Sequence, residues 1–263
     1  MHWILQNNIF FETGWDTLVS TLERFGISHS VHKVVPFVGE LIPAPELKDQ
    51  KVICFGSYSM RHVAKREGWT PGVFDLFEQD FAKQLAHWGT HLLNAGSVVS
   101  AFKDAHFTAD ELFVRPTTDS KCFAGRVFSR EEFTQWQKTV CALGLSDGSS
   151  LTPETEVQLA RPIVIHAEYR YWIVKGAIVT RSLYKRGSRV FSSSEVDQRI
   201  DDYVLERVRE WQPHDAFVID VCDTEEGMKI VELNTLNAAG FYAADVQKLV
   251  LALEEAFTGA KPE

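Results

Sequence analysis

Two apolar runs near the C-terminal end, Ala216-Phe217-Val218-Ile219-Asp220-Val221-Cys222 and Met228-Lys229-Ile230-Val231-Glu232-Leu233-Asn234, flank the acidic stretch Asp223-Thr224-Glu225-Glu226-Gly227. Apolar runs on either side of a short polar turn that ends in glycine predict a β-hairpin. Side chains alternate between the faces of a strand, so Glu232 and Asn234 share one face and Val231 and Leu233 the other. A hairpin symmetric about Glu226 sets Asp220 across from Glu232. Two carboxylates and an amide oxygen then converge on one patch of an otherwise apolar sheet. Burying like charges this close is costly unless a cation lies between them. Oxygen donors of this kind suit Mg2+, which keeps several waters and shares its shell with substrate phosphates. The alternative is a solvated edge that the two acids merely flank. Ile219, Val221, Val231 and Leu233 favour buried strands.

The chain has 263 residues, enough for one large or two to three small subdomains around real cores. A net charge of -9 argues against binding a nucleic-acid backbone as the main role, because such domains carry a basic face. Cys54, Cys122, Cys141 and Cys222 are widely spaced, with no C-x-x-C pair, which points to reduced core thiols. The N-terminus lacks a basic region followed by an apolar run, and no segment approaches the roughly 20 apolar residues needed to span a bilayer. A cytoplasmic protein is expected, with neither membrane nor nucleic acid as a partner. Nothing in the sequence specifies an oligomeric state.

In chain order, strands are predicted at residues 3–8, 29–37 and 51–55, with helices over 16–25 and from about 59 to 67. This alternation is the pattern of a small open α/β domain. Ligands of such sheets bind beyond the carboxyl ends of strands, so Gly56 and Ser57 are candidates for substrate contact, or else simply a turn. A helix over 80–93 would carry His87 and His91 at i,i+4, without a third metal ligand nearby. Residues 111–116 read as a strand that stops at Pro116 or lies at an edge. The polar loop from Thr117 to Gly125 carries Lys121, and Ser129-Arg130-Glu131-Glu132 reads as a capping box for a helix over 129–141. Residues 163–174 and 177–184 read as a second hairpin turning at Lys175-Gly176. Glu168, Arg170 and Trp172 share one of its faces, where a Glu168–Arg170 bridge is one reading of the charges. Helices over 195–211 and 241–257 complete the chain, and residues 259–263 read as a frayed tail.

Taken together, these pieces resemble the ATP-grasp superfamily of carboxylate–amine (or thiol) ligases over roughly residues 95–258. That family closes its nucleotide site with an acidic residue on one strand and Glu-x-Asn on the next, matched here by Asp220 and by Glu232-Leu233-Asn234. A strand-end Arg115-Pro116 replaces the usual Lys-Pro, and Ser120-Lys121-Cys122-Phe123-Ala124-Gly125 replaces the glycine-rich loop. Both departures, and Glu168-Tyr169-Arg170 ahead of a hairpin with Ser182 and Tyr184 on its return strand, are similar to a divergent clade named for an arginine and two lysines. The implied fold is a mixed α+β chain, two α+β lobes clasping ATP after a small open α/β domain. The implied domains are 1–94, a lid subdomain over 95–145 and a metal-binding lobe over 146–263.

The resemblance implies ATP and Mg2+ as cofactors, and ADP-forming ligation of a carboxylate to an amine through an acyl phosphate. The carboxylate and amine substrates would be small molecules or peptides. Mg2+ would be held by Asp220, Glu232 and Asn234, and the phosphates by Arg115 and Lys121. Glu168 and Lys185 join the nucleotide site, Lys185 as the clade's second lysine or as a surface charge. The adenine would lie against Glu156, Val157, Gln158 and Leu159, read mainly by backbone groups. Arg170 and Arg181 would orient the substrate carboxylate and stabilise phosphoryl oxygens. Asn237 would touch metal or phosphate, or cap the final helix. The alternatives are a nucleotide-binding regulator without catalysis and an ATP-grasp phosphotransferase.

Overall fold

A computed structural model describes residues 1–8, 14–47, 50–76, 79–118, 122–143 and 151–258. The chain divides into two units, Met1–Leu76 with His166–Asp223 and Ile230–Glu263, and Phe77–Ile165 with Thr224–Lys229. Lys121 and the tail 259–263 lie outside the described residues.

The N-terminal part of the first unit runs β1 (His2–Gln6), α1 (Trp15–Arg24), β2 (His29–Val34), β3 (Leu41–Ile42), β4 (Lys51–Phe55), α2 (Met60–Glu67) and β5 (Thr70–Gly72). The sheet order is β3-β2-β1-β4-β5, with β1 parallel to β2 and β4, β4 parallel to β5, and β3 antiparallel to β2. This is the open α/β domain that the strand–helix alternation predicts. Trp3, Ile4, Leu5, Val52, Ile53 and Cys54 are fully buried, which is why β1 and β4 read as continuous apolar runs rather than alternating ones.

The second unit contains α3 (Phe81–Trp88), β6 (Val98–Ala101), β7 (Glu111–Pro116), β8 (Arg126–Ser129), α4 (Arg130–Leu143) and β9 (Glu156–Ala160). Its antiparallel sheet has the order β6-β9-β7-β8. Asp80 caps α3 through Lys83 N–H, but the helix stops at Gly89 (φ 50°), short of the expected residue 93. His91 falls in a separate 3-10 turn, so His87 and His91 do not form an i,i+4 pair on one helix. The capping box forms: Glu132 N–H donates to Ser129 Oγ at 3.2 Å, and Ser129 N–H to Glu132 Oε2 at 3.1 Å. Phe102, Phe128, Phe133 and Trp136 centre the core, with the Phe128 and Trp136 rings stacked at 5.1 Å.

The first unit resumes with β10 (Ile165–Val174), β11 (Ala177–Arg186), β12 (Arg189–Ser193), α5 (Gln198–Glu210), β13 (Ala216–Thr224), β14 (Gly227–Asn234) and α6 (Val246–Thr258). The sheet order is β12-β11-β10-β13-β14. Lys175 and Gly176 (φ 49° and 78°) turn β10 into β11 with the positive φ pair that suits a right-twisted hairpin. The strands of the C-terminal hairpin run closer together in sequence than expected, leaving only Glu225-Glu226 as the turn. Trp3, Leu5 and Phe55 of the N-terminal sheet share one core with Trp172, Val218, Phe241, Leu249 and Leu253.

Candidate active site

Asp220 lies completely buried on β13, between the equally buried Ile219 and Val221. Its adjacent strand β10 brings Arg170, whose Nε donates to Asp220 Oδ1 at 2.8 Å and Nη2 to Oδ2 at 2.7 Å. This forked pairing matches guanidinium to carboxylate geometry. Arg170 Nη1 reaches Gly240 O at 3.4 Å, and its Cζ stands 5.3 Å from the ring centroids of both Tyr184 and Tyr242. Those two rings stack at 5.0 Å. On the other side of Asp220, Asn234 Nδ2 lies 3.2 Å from Asp220 Oδ2 and 3.2 Å from Glu232 Oε1. Glu168 accepts from Tyr184 Oη at 2.7 Å and from Lys185 Nζ. The bridge therefore runs Arg170–Asp220 and Lys185–Glu168, not Glu168–Arg170.

Burial pushes the Asp220 carboxyl up to about 6; Arg170 pulls against that rise, while Glu232 and Glu168 add to it. Burial opposes charge on Arg170 too, but the Asp220 carboxylate more than compensates and raises its pKa. Burial, together with the negative Asp220 and Glu168, raises Tyr184, so its hydroxyl stays protonated and donates to Glu168. A dense set of charges is thus held in a largely buried patch, an arrangement found where ligands or metals complete the charge balance.

Asp220, Glu232 and Asn234 fit Mg2+. They offer two carboxylates and one amide, a set of hard oxygen donors small enough to leave room for water and phosphate. Turning the Asn234 amide over replaces Nδ2 by Oδ1 at the same place, giving three oxygens. Each Asp220 oxygen keeps a lone pair beyond the one that Arg170 uses. Among the described residues no group of three or more His, Cys, Asp or Glu could hold a metal.

Arg181 does not join Arg170. Cross-strand pairing sets Arg170 opposite Ser182 and Tyr171 opposite Arg181, so Arg181 projects from the other face of the sheet. There its Nε lies 2.9 Å from Asp201 of α5, too oblique for a hydrogen bond, while Tyr171 Oη donates to the same carboxylate at 2.8 Å. Val157, Gln158 and Leu159, expected to lie against an adenine, are strand residues paired on both sides. These residues sit on β9, an inner strand that spends its N–H and C=O groups on β6 and β7. Glu156, at the start of the same strand, is exposed and pairs across to Ala101.

Arg115 is half-buried on β7 and pairs across the sheet with Gln158. Gly125 packs directly against it: a Cβ there would come within 2.9 Å of Arg115 Cβ and 2.8 Å of Phe113 Cζ. Asn237 does not cap the final helix, which starts at Val246. Its Nδ2 donates to Cys54 O and Gly72 O, and its Oδ1 accepts from Phe74 N–H at 2.9 Å, tying the loop after β14 to the ends of β4 and β5. Its carbonyl also accepts from Gly56 N–H at 3.0 Å, and Ser57 N–H donates to Gln6 Oε1 at 2.7 Å, so this strand end is a packed turn. Reading the sequence missed Gly240 and Tyr242 as neighbours of Arg170. Tyr242 has a positive φ of 52°, which no sequence signal announced.

The family model that matches this chain, over residues 60–253, describes an ATP-grasp domain, family 3 of the clade named for an arginine and two lysines. No curated protein sequence matches the chain. Among solved structures, D-cycloserine synthetase DcsG aligns at TM-score 0.62 and 14% identity over 97% of this chain and 99% of that one. D-alanine–D-alanine ligase from Bacillus anthracis, complexed with ATP, aligns at 0.56 and 12% over 98% and 97%. Macrocyclase MdnC from Microcystis aeruginosa MRC, bound with precursor peptide MdnA, aligns at 0.58 and 13% over 99% and 100%. At these identities the structures speak for the fold, the family match covers most of the chain, and the protein belongs to the ATP-grasp superfamily, in family 3 of the arginine-and-two-lysines clade.

Proposed function

We propose that the protein is an ATP- and Mg2+-dependent carboxylate–amine ligase that forms ADP, phosphate and an amide. The observation that carries this reading is the buried Asp220 with Glu232, Asn234 and Arg170 gathered around it, inside an ATP-grasp fold. The naming of the similar structures as a synthetase, a ligase and a macrocyclase supports it. Asp220, Glu232 and Asn234 hold Mg2+, which when bound neutralises charge on the phosphate oxygens.

Arg170, fixed bidentately and flanked by Tyr184 and Tyr242, is a preorganised cation for oxygens that gain charge in the transition state. Lys185 and Glu168 form a second charged pair beside it, and Arg115 and Lys121 supply further phosphate-binding cations. A substrate carboxylate oxygen attacks the γ-phosphorus, the bond to the β-phosphate oxygen breaks, and ADP leaves. The amine nitrogen then attacks the acyl carbon of the acyl phosphate, expelling phosphate and losing a proton. No side-chain nucleophile is needed. The partners are small-molecule or peptide carboxylates and amines.

The test is ADP release in pools of carboxylates and amines. ADP that appears only when both are supplied, and vanishes in Glu232→Gln, supports ligation. ADP release with either pool alone points to phosphotransfer and overturns it.

A further inference from the structure

Between Glu168 and Glu195 the sequence contains no acidic residue but six cations: Arg170, Lys175, Arg181, Lys185, Arg186 and Arg189. Four of them find carboxylates within the fold, namely Asp220, Asp215, Asp201 and Glu168. Arg186 and Arg189 form no ion pair among the described residues. They are instead cross-strand partners of one another at the β11–β12 hairpin end. Like charges set directly opposite on a sheet repel. The fold therefore keeps two exposed arginines together with no ion-pair partner among the described residues, on a chain whose net charge is -9.

The strand that carries Arg189 is an edge. Among the described residues β12 pairs only with β11 in the order β12-β11-β10-β13-β14, so its outer row of backbone groups faces no other described strand. Its side chains are apolar as well as basic: Val190 is 79% and Phe191 49% exposed, and the Arg186 guanidinium lies 5.3 Å over the Phe191 ring. An edge strand with exposed apolar residues invites strand addition, and on β12 only Arg189 and a bulge beyond Val190 temper that tendency. The pairing also fixes the face. Arg186 lies opposite Ala167, which alternates in phase with Tyr169 and Tyr171, so Arg186, Arg189 and Phe191 project away from the Asp220 and Glu168 side. This cationic edge is therefore separate from the proposed phosphate and metal residues.

We infer that β12 is a docking edge for an extended acidic peptide. The peptide adds as a strand alongside residues 189–193, with carboxylates on the Arg186–Arg189 pair and an apolar residue against Phe191 or Val190. Main-chain hydrogen bonds supply affinity, and the paired guanidinium groups select for acid. The inference rests on the unpaired cations and the open edge, and it stands whether or not the chain is a ligase.

The experiment uses the full chain without ATP or Mg2+, and fluorescence anisotropy of a labelled ten-residue peptide alternating Glu and Val. Binding is expected to weaken at least tenfold in Arg186→Glu/Arg189→Glu, and for a peptide N-methylated at alternate residues, which cannot complete a ladder. Arg189→Gln gives an intermediate loss and guards against misfolding, checked by an unchanged melting temperature. A Lys/Val peptide that binds equally well, or a double variant that binds like the wild type, overturns the inference. So does full competition by tripolyphosphate with no effect of N-methylation, which would mark a simple anion site. Concentration-dependent dimers abolished by the double variant would give the edge to a second copy and likewise overturn it.

Discussion

Replacing Arg170 with Met strips the buried Asp220 carboxylate of both its forked donors while leaving it close to Glu232 and Glu168. Removing one partner of a buried ion pair costs about 3–5 kcal/mol, because the remaining charge has neither water nor partner. Asp220→Leu should cost a similar amount by stranding the guanidinium, which is only 11% exposed. The double variant Arg170→Met/Asp220→Leu removes both charges, and swapping a buried pair for apolar groups is near neutral or stabilising by about 1–4 kcal/mol. The cycle should therefore give a coupling of at least about 3 kcal/mol, far above the ~0.5 kcal/mol scatter of independent sites. Amide exchange of β10 and β13 read as a function of urea measures the stability locally, which suits a chain of two units. Single-variant costs below about 1 kcal/mol that simply add would show a pair screened like one on the surface, and the picture of a buried charge cluster would be wrong.

Other perturbations probe the scaffold. Asn237→Ala takes the side-chain partner from Cys54 O and Phe74 N–H, and at about 1–3 kcal/mol per stranded buried group the expected loss is at least about 2 kcal/mol by urea denaturation; under 0.5 kcal/mol would refute the clamp. Gly125→Val forces a Cβ to 2.9 Å from Arg115 Cβ and should weaken ATP binding about tenfold with little change in melting temperature; unaltered affinity would free Arg115 of that role. Burial, then the nearby His32 and His29, lowers His2 below its ordinary 6.5. The unfolded chain takes up that proton first, so stability held above pH 6.5 is lost as pH falls below it, and the wild-type urea midpoint should drop more than that of His2→Gln between pH 7.5 and 5.5. Equal drops would exclude His2.

The C-terminal hairpin was legible because its information is local: apolar alternation, an acidic turn and Glu-x-Asn lie within twenty residues. The pairing of Arg170 was not. Three acids stand within reach of a strand-borne arginine, and only the adjacency of β10 to β13 selects Asp220 over Glu168. Arg181 was grouped with Arg170 by the resemblance alone, and its face depends on hairpin register, where the β10–β11 pair carries bulges on either side of the relevant stretch. The inner position of β9 followed from β6, whose short Val98–Ala101 run has exposed valines and no apolar alternation to reveal it. β12 was hidden likewise, being short, mostly exposed and more than half serine and arginine. The final helix starts at Val246 rather than residue 241 because Phe241 and Ala239 pack in the core from a loop, and Asp245, whose Oδ1 accepts from Lys248 N–H, starts the helix.

ATP binding measured by calorimetry with and without Mg2+, in the wild type and in Glu232→Gln of unchanged melting temperature, bears most directly on the proposed metal floor. Mg2+ should tighten ATP binding at least tenfold in the wild type and have no such effect in Glu232→Gln. Equal Mg2+-dependent binding by both proteins would mean that Asp220, Glu232 and Asn234 do not hold the metal.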